Sequence, residues 1–423
     1  MSPSTPTVPE RFHALDALRA FALLLGVCLH AAIAFIDPPT RWAVGTDTPA
    51  AIPALFAYYV HCFRMEVFFL LAGFFARLVI GKRGVPAFLR DRAVRIVLVF
   101  LVALYPMKLL LSACWIVGMA QTGTLHLPPE AVVLPLWQLA LGSFGLESWP
   151  RINLTHLWFL YYLASVTAIF LVVHRLGTLV VQPAHTARRL GHNLFRHVAA
   201  SWSAPVALPL LTVPLLGAMS GFNIDTPDTG FAWHGPVLTL YGLFFALGWL
   251  LHRHQDLLAT FARRWAVYLP LSLAVGYVSA RGLGLRMEGG TWADAHATSL
   301  RWGTVVGTSL TMALAVPGWL GLFVRFFDRP RPWVRYLADS SYWVYLVHLP
   351  LVVALQIAFF HWAAPWSIQW PLINAIAFPV LFLSYHLLVR TTWIGAWING
   401  RRPVSIPFSH AATMPASQPL AGD

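Results

Sequence analysis

The sequence has little charge for its size. Of its 423 residues, only 11% are Asp, Glu, Lys or Arg, and acids are the scarcer sign, with 16 against 29 basic residues. A soluble protein normally gives about a quarter of its residues to charge, because it has a wet surface to cover. With 58% hydrophobic residues and a mean hydropathy of +0.65, the chain does not fit the soluble globular class and is predicted to be an integral membrane protein.

Cysteine and the common catalytic motifs are also scarce. The three cysteines, Cys28, Cys62 and Cys114, are odd in number and form no CxxC pair, which argues against a disulfide framework and against a zinc site. The sequence has no GxxxxGK[ST] loop for ATP, no GxSxG nucleophile elbow and no HExxH metal motif. No metal site and no bound cofactor are predicted, and nothing resembles a cleavable signal peptide.

What the chain does have is long apolar stretches. A helix that crosses a bilayer needs about 20 mostly apolar residues. The ten predicted spans are residues 14–36, 51–80, 94–118, 155–174, 200–220, 236–252, 265–280, 302–324, 341–362 and 371–392. A further stretch, 132–144, is too short to cross and is expected to lie re-entrant or at the interface. The predicted fold class is all-α, a polytopic transmembrane helical bundle of about ten spanning helices over residues 11–395, between tails 1–10 and 396–423.

The basic residues predict the orientation of this bundle. If both termini are cytoplasmic, 21 of the 29 Lys and Arg residues fall in inner segments, five in outer segments and three within spans. Every inner loop is then basic, as the positive-inside rule requires. The net charge of +13 therefore belongs to the cytoplasmic face. Nucleic-acid binding would need a clustered basic face with base-stacking aromatics, which is not found.

The first span carries ionisable residues, which are costly in hydrocarbon and mark functional sites. It reads RFHALDALRAFALLLGVCLHAAIAF and contains Arg19 and His30, eleven residues apart. Helix geometry places them on one face, about 16 Å apart along the axis. Asp16 shares this face with Arg19. His30 and Arg19 fit a catalytic pair, and they also fit an interfacial Asp16–Arg19 ion pair with a separate packing histidine.

The second span, HCFRMEVFFLLAGFFARLVIGKRG, brings His61, Arg64 and Glu66 within six residues. Three titratable groups so close together in one membrane helix predict a catalytic role. The alternative is a mutually neutralising cluster that holds helices together. Gly73 in the same span is expected to permit close helix packing.

The loop after this span reads FLRDRAVRI and contains Arg90, Arg92 and Arg95. These arginines fit ordinary positive-inside topology. They also fit a binding site for the phosphates of a soluble anionic donor, since guanidinium groups bind phosphate through paired hydrogen bonds.

Two later motifs supply candidates for substrate binding. THLWFLYYL opens the fourth span with His156 and Trp158, which fit either an interfacial aromatic belt or a platform for a sugar. YLADSSYWVYLVHLP opens the ninth span with Tyr342 and His348, of which His348 alone would suit a core histidine. His386, in the tenth span, has no partner that the sequence identifies.

Taken in order, these motifs make the sequence resemble the acyltransferase-3 family of integral membrane acyltransferases, and within it the branch related to glucan biosynthesis protein C. The resemblance rests on Arg19 and His30 within LDALRAF and the residues after it, on FRMEVFFLLAGFF, FLRDRAVRI and HLWFLYYL, and on YLADSSYWVYLVHLP. It covers about residues 11–392. It implies about ten spans, the number that the apolar stretches and basic loops predict.

The resemblance also implies a function, O-acylation in a bacterial plasma (inner) membrane. Such proteins move an acetyl or succinyl group from cytoplasmic acyl-CoA to a hydroxyl of a periplasmic or cell-surface glycan. By resemblance, Arg19 and His30 are an essential pair and Arg90, Arg92 and Arg95 form a cytoplasmic arginine motif. His30 is expected to act as general base, with Glu66 orienting it and Arg64 or Arg19 stabilising the oxyanion.

Two other functions fit parts of the sequence. A proton-coupled transporter of a small solute would use His30, His61 and Glu66 as a relay, although no inverted repeat with paired broken helices is visible. A scaffold without catalysis is disfavoured by the intact first-span pair. Direct transfer is expected rather than an acyl-enzyme, because no Ser or Cys has an evident base beside it.

Overall fold

The computed structural model describes residues 12–36, 42–46, 48–126, 130, 133–145, 152–180, 185–220 and 223–399. Within these ranges the chain is helical, and the one strand-like feature is an isolated antiparallel bridge between Asn153 and Thr229. In hydrocarbon, a backbone must satisfy its own N–H and C=O groups, so the long apolar stretches become helices. The predicted all-α polytopic bundle is confirmed.

The helices are numbered in chain order over the described residues. They are α1 (His13–Ile33), α2 (Ala51–His61), α3 (Arg64–Arg92), α4 (Leu98–Gln121), α5 (Leu136–Gly145), α6 (Trp158–Val180), α7 (His185–Ala200), α8 (Ala204–Gly217), α9 (Gly235–Arg253), α10 (Asp256–Glu288), α11 (Thr291–Ala295), α12 (Ala297–Phe327), α13 (Pro332–Phe359), α14 (Trp366–Leu388) and α15 (Trp393–Asn399). A π-helical turn, Ala93–Val97, joins α3 to α4, and a 3-10 turn, Thr155–Leu157, precedes α6.

Eight helical stretches of the described chain are long and apolar enough to cross a membrane. A ninth forms if α7 and α8, bent by 113°, count as one crossing. The longest stretch, Ala51–Gln121, has 71 residues and would extend about 105 Å, over three times the hydrocarbon thickness. It turns at Gly84, whose φ of 77° is readily adopted only by glycine. The structure therefore gives eight or nine candidate spans in the described chain, and the prediction of about ten stays a prediction.

Two details of the predicted boundaries differ. The short prediction at 265–280 is part of α10, which has 33 residues. The predicted domain end at residue 395 falls inside α15. Two residues of this helix bond to the bundle: Trp397 Nε1 donates to the Val94 carbonyl (3.0 Å), and Asn399 Nδ2 donates to the Asp339 carbonyl (3.1 Å). These two bonds hold the last helix to the bundle. Residues 1–11 and 400–423 lie outside the described residues, so the cytoplasmic termini remain a prediction.

Glycine brings α3 and α9 into backbone contact. A Cβ at Gly73 would collide with the Phe245 carbonyl, and a Cβ at Gly248 would collide with the Leu70 carbonyl. Small residues at such crossings let helices approach closely in a membrane, where packing replaces the hydrophobic effect as the driving force. The interpretation of Gly73 as a packing residue is confirmed, and the contact fixes the position of α3.

Hydroxyl groups join other helices in the interior. Tyr58 on α2 bonds to Ser279 on α10 (2.6 Å) and to Thr308 on α12 (2.7 Å), and Tyr59 bonds to Ser272 (2.7 Å). Interhelical polar bonds of this kind contribute about 0.6 kcal/mol each in membranes. They hold the C-terminal half of α2 against α10 and α12, next to the point where the helix breaks before α3.

Candidate active site

The backbone of His30 is held by a residue that the sequence motifs did not identify. Gln356 on α13 is buried and donates from Nε2 to the carbonyls of His30 (2.9 Å) and Ala31 (3.2 Å). These carbonyls belong to the last turn of α1, where the helix offers them no N–H. Gln356 Oε1 accepts a bond from Trp42 Nε1 (2.8 Å), and the Trp42 ring lies parallel to the His30 imidazole at 6.1 Å. Gln356 and Trp42 therefore fix both the turn and the ring plane of His30.

Two further histidines meet His30 inside the bundle. The ring centroids of His30 and His348 are 5.3 Å apart, and those of His348 and His156 are 5.2 Å apart. His348 Nδ1 donates to the Tyr345 carbonyl (2.7 Å) and His156 Nε2 donates to the Leu346 carbonyl (3.0 Å). We call His30, His156 and His348 the histidine cluster.

The histidine cluster has unused proton acceptors. Because one nitrogen of His348 and one of His156 donate to carbonyls, His348 Nε2 and His156 Nδ1 hold lone pairs. Neither atom has a hydrogen-bond partner among the described residues, and the same is true of His30 Nδ1. Buried polar atoms without partners are rare and point to function. Neutral imidazoles with free acceptor nitrogens can take a proton from a hydroxyl.

A strained turn presents His156 to the cluster. Thr155 has a φ of 54° and is the one non-glycine residue with positive φ in the part of the chain that the structure describes. For a β-branched residue this conformation is a genuine outlier, and such strain gathers at functional sites. Asn153 holds the turn by accepting a bond from the Thr155 N–H (2.6 Å), and Tyr345 donates its hydroxyl to the His156 carbonyl (2.9 Å).

A break in the second span delivers Arg64 to the same region. The helix stops at His61 and restarts at Arg64, and the first backbone bond of α3 runs from Val67 N to Phe63 O (2.9 Å). The Arg64 guanidinium lies against α1 at Gly26, one turn before His30, where a Cβ would collide with Nη1. Arg64 Nε has no partner within the described ranges. A cation with an unused donor thus lies beside the histidine cluster.

Glu66 is fully buried in the first turn of α3. Its carboxylate makes no hydrogen bond of standard geometry with any described residue, and it lies within electrostatic range of Arg64 and Tyr241. It does not bond to His30, since His30 Nδ1 and both Glu66 oxygens lack partners. The expectation that Glu66 orients the His30 ring therefore has no hydrogen bond to support it, and Trp42 and His348 contact that ring instead.

His61 lies within electrostatic range of His30 and Arg64 but bonds to a loop outside the histidine cluster. Its Nε2 donates to the Ile224 carbonyl (2.9 Å), and the neighbouring Cys62 accepts a weak bond from Asn223 (3.4 Å). These contacts tie the end of α2 to the loop before α9. No hydrogen bond joins His61 to Glu66 or to His30 among the described residues.

A second group of predicted residues lies at another level of the bundle. Arg19 pairs with Asp16 (3.2 Å) about 16 Å along α1 from His30, which is too far to act on the same atoms. Arg92 lies within electrostatic range of Arg19 and Arg95. Tyr342 donates its hydroxyl to the Arg95 carbonyl. We call Arg19, Arg92 and Arg95 the arginine cluster.

Acidic and aromatic neighbours hold the arginine cluster in place. Asp91 pairs with Arg95 (3.0 Å), and the Arg92 guanidinium lies over the Phe88 ring at 5.0 Å. Arg92 forms no ion pair within 4 Å with any described residue. Arg90, the third arginine of the predicted motif, is exposed on another side of the helix.

Trp158 does not reach either cluster. It is buried and packs on Tyr241 (6.0 Å, nearly parallel) and edge-on to Tyr162 (5.8 Å). Tyr241 in turn stacks on Phe69 (4.4 Å). Trp158 is therefore a core residue between α3, α6 and α9, and its predicted role as a sugar platform finds no open surface here.

Of the twelve residues predicted for the site, the structure brings His30, Arg64, His156 and His348 together, with His61 within electrostatic range of His30. Sequence reasoning missed Trp42, Tyr345 and Gln356. Gln356 could have been found from the sequence, because it is a lone amide in the apolar run LVVALQIAFF. Trp42 could not, because nothing distinguishes it among the 19 tryptophans of the sequence. No three His, Cys, Asp or Glu side chains of the described residues are arranged to hold a metal ion.

Known proteins resemble this chain over most of its length. The model of the acyltransferase-3 family, described as an acyltransferase domain, matches residues 12–389. Proteins named glucans biosynthesis protein C from Salmonella heidelberg, Salmonella agona and Salmonella enteritidis are each 27% identical over 380 residues, 83% of this chain and 84% of the relative.

No solved structure is significantly similar to this chain. The family match spans the helices that carry both clusters, from α1 to α14. An acyltransferase assignment is consistent with the proton acceptors of the histidine cluster and with the Arg64 guanidinium beside it. This chain belongs to the acyltransferase-3 family and is a multi-pass membrane enzyme that transfers acyl groups.

Proposed function

We propose that this enzyme moves an acetyl or succinyl group from cytoplasmic acyl-CoA to a hydroxyl of a periplasmic or cell-surface glycan, in a bacterial inner membrane. The observation that carries the proposal is the histidine cluster, in which the buried imidazoles of His156 and His348 meet the half-buried His30, and each ring has a buried nitrogen without a partner among the described residues, beside the Arg64 guanidinium. The name of the relatives, glucans biosynthesis protein C, supports a glycan acceptor.

The arginine cluster suits the donor. Arg19, Arg92 and Arg95 lie on the side that the basic loops assign to the cytoplasm, and guanidinium groups bind phosphate through paired hydrogen bonds. The long pantetheine arm of the donor would then run along α1 toward His30. Tyr342, next to Arg95, lies on this path, whereas Arg90 is exposed outside it.

The proposed reaction is a direct transfer. The oxygen of the acceptor hydroxyl attacks the thioester carbonyl carbon while His30 takes the hydroxyl proton. Arg64 stabilises the oxyanion of the tetrahedral intermediate, and the buried Glu66 balances the charge of Arg64. The carbon–sulfur bond then breaks, the new ester remains on the glycan, and the coenzyme A thiolate leaves with the proton that His30 returns.

His156 and His348 complete the acceptor side. Their free nitrogens, His156 Nδ1 and His348 Nε2, can accept hydrogen bonds from hydroxyl groups of the acceptor. His348 touches the His30 ring, so it also limits the rotation of that ring. A sugar offers several hydroxyls, and this arrangement would orient one of them toward His30.

The test measures turnover by purified protein in detergent with acyl-CoA and a glucan acceptor. The release of free coenzyme A thiol reports the rate. General-base catalysis contributes about 10²- to 10⁴-fold, so His30→Ala should lower turnover by at least about 100-fold. The matched control is His386→Ala, since His386 is exposed on α14 and bonds to Arg390 (3.2 Å).

Two results would contradict the proposal. If His30→Ala retains wild-type turnover at normal protein levels, His30 is not the base. If the wild-type protein moves a solute without consuming acyl-CoA, the donor assignment is wrong. Mass spectrometry of the modified glycan identifies the acyl group when turnover is found.

A further inference from the structure

A basic cleft lies between the first turns of α10 and the last turns of α12, and neither cluster of the active site lines it. Its volume is about 930 Å³. Its lining includes two aromatic residues and four arginines: Trp265, Phe326, Arg263, Arg325, Arg329 and Arg331. All four arginines belong to segments that the positive-inside rule assigns to the cytoplasmic face.

The described residues that line the cleft leave it with a net positive charge. One acidic residue, Asp328, also lines it, so four arginines and one aspartate give a formal charge of +3. Asp328 forms no ion pair within 4 Å with any of the four arginines. Arg331 donates to the Phe326 carbonyl (3.1 Å), and Arg263 donates to the Thr260 hydroxyl (3.2 Å). These neutral partners leave the charge of the cleft in place.

Arg264, next in the chain, shows the contrast. It donates to the carbonyls of Ala200 (2.7 Å) and Ser201 (2.8 Å) and lies over the Trp202 ring at 4.3 Å. Arg264 therefore has a structural task, closing the end of α7. Arg263 and Arg325 are exposed and have no comparable task.

Next to the cleft, the face of α10 that carries Arg263 continues as an exposed apolar stripe. Val267 and Leu271 follow Arg263 at steps of four residues along α10, so the three share one face of the helix. Val267 is 51% exposed and Leu271 47%. Aromatic rings join the two helices of the cleft, since Trp265 on α10 packs edge-on against Phe326 on α12 at 5.3 Å. Arg263 thus lies at the cytoplasmic end of an exposed apolar stripe.

We propose that this cleft binds the headgroup of an anionic phospholipid. The arginines bind the phosphate, Trp265 lies at the level of the glycerol backbone where tryptophan is favoured, and the acyl chains lie along Val267 and Leu271. Basic pockets between membrane helices on the cytoplasmic side are suited to such headgroups. A free anion would use the arginines but would leave the apolar stripe without a role.

The experiment measures lipid retention by native mass spectrometry of the whole protein, titrated with phosphatidylglycerol or phosphatidylcholine. The perturbed variant is Arg263→Gln with Arg325→Gln, because these two arginines line this cleft and not the adjoining one that contains Asp16. The matched control is Arg253→Gln, an exposed arginine at the end of α9 that does not line the cleft.

The wild-type protein and the control should bind one phosphatidylglycerol in preference to phosphatidylcholine. The double variant should bind it about thirty-fold more weakly, since each arginine near a membrane surface contributes about 1 kcal/mol and tenfold in affinity corresponds to about 1.4 kcal/mol. Arg263→Lys with Arg325→Lys should keep most of the affinity, because the charges remain.

Equal binding of the two lipids, or an unchanged affinity in the double variant, would overturn the proposal. So would displacement of the lipid by coenzyme A together with a raised KM for the acyl donor in the double variant, because the cleft would then be a donor site. An unchanged melting temperature of lipid-free protein shows that the variants are folded. Acyl transfer itself is a separate measurement, so the lipid site and the proposed function can fail independently.

Discussion

Replacing Gly26 by alanine should impair catalysis without impairing the fold. Gly26 lies on α1 one turn before His30, and the Arg64 guanidinium occupies the space that a side chain would need. Alanine introduces one methyl group and no charge. The atom it meets is the far end of a flexible side chain, so Arg64 can retreat, and the position of its charge relative to the histidine cluster is what changes.

The magnitude follows from this geometry. The guanidinium would have to move by about 1 Å to reach ordinary van der Waals contact, and a misplacement of that size can cost about 10²-fold in rate. Loss of an oxyanion donor costs about 10²- to 10³-fold. We therefore expect kcat to fall about 100-fold. Stability should change little, because alanine is favoured over glycine in a helix by about 1 kcal/mol, which offsets the displacement.

The assay is a double-mutant cycle on purified protein, with thiol release as the rate and thermal unfolding as the measure of folding. Gly26→Ala is compared in the wild-type and the Arg64→Ala backgrounds. Without a guanidinium to displace, the glycine substitution should cost almost nothing, so the two effects should be strongly non-additive. The control is Gly242→Ala on α9, where a Cβ meets open space.

Two outcomes would refute this reasoning. Full activity of Gly26→Ala would mean that the position of Arg64 is not critical. An equal loss in both backgrounds would mean that the methyl group acts on something other than Arg64.

Two other substitutions test the scaffold around the histidine cluster. Gln356→Leu removes three hydrogen bonds, to the carbonyls of His30 and Ala31 and to Trp42, and should lower the free energy of unfolding by about 2 kcal/mol. Thermal unfolding in detergent measures this, and the exposed Gln138→Leu should show no such loss. Thr155→Gly relieves a left-handed backbone and should raise stability by about 1 kcal/mol while lowering turnover, because His156 is held less firmly. A lower melting temperature for Thr155→Gly would show that the turn is not strained.

Much of the fold follows from composition and periodicity. The spans, the packing role of Gly73 and the polytopic architecture could be predicted because a bilayer imposes apolar helices about 20 residues long. Local contacts decided where individual helices end, and here the sequence was less informative. The helix α15 extends past the predicted domain end because Trp397 and Asn399 bond to the bundle. The second span breaks at Cys62–Phe63, which no proline or glycine marked.

The candidate site was only partly predictable. His30 and Arg64 are functional candidates from the sequence alone, because an ionisable side chain in an apolar span is energetically costly. The same logic selected His61, which bonds to a loop carbonyl instead. Cost in hydrocarbon also selected Arg19, and only the helical rise between Arg19 and His30 showed that the two residues lie at different levels of the bundle. Trp158 is of a residue type that suits sugar binding, but its ring packs on Tyr241 in the core.

The sequence alone determined that this is a basic, polytopic membrane protein with costly charges in its first two spans, because hydropathy and charge act locally and can be read without knowing the partners of each helix. Only the tertiary structure decided which charges meet. His30 and Gln356 are 326 positions apart, and their contact depends on how α1 packs against α13. Helix packing is set by side-chain shape over whole surfaces, so the histidine cluster and the cation beside it emerge only once the bundle is assembled.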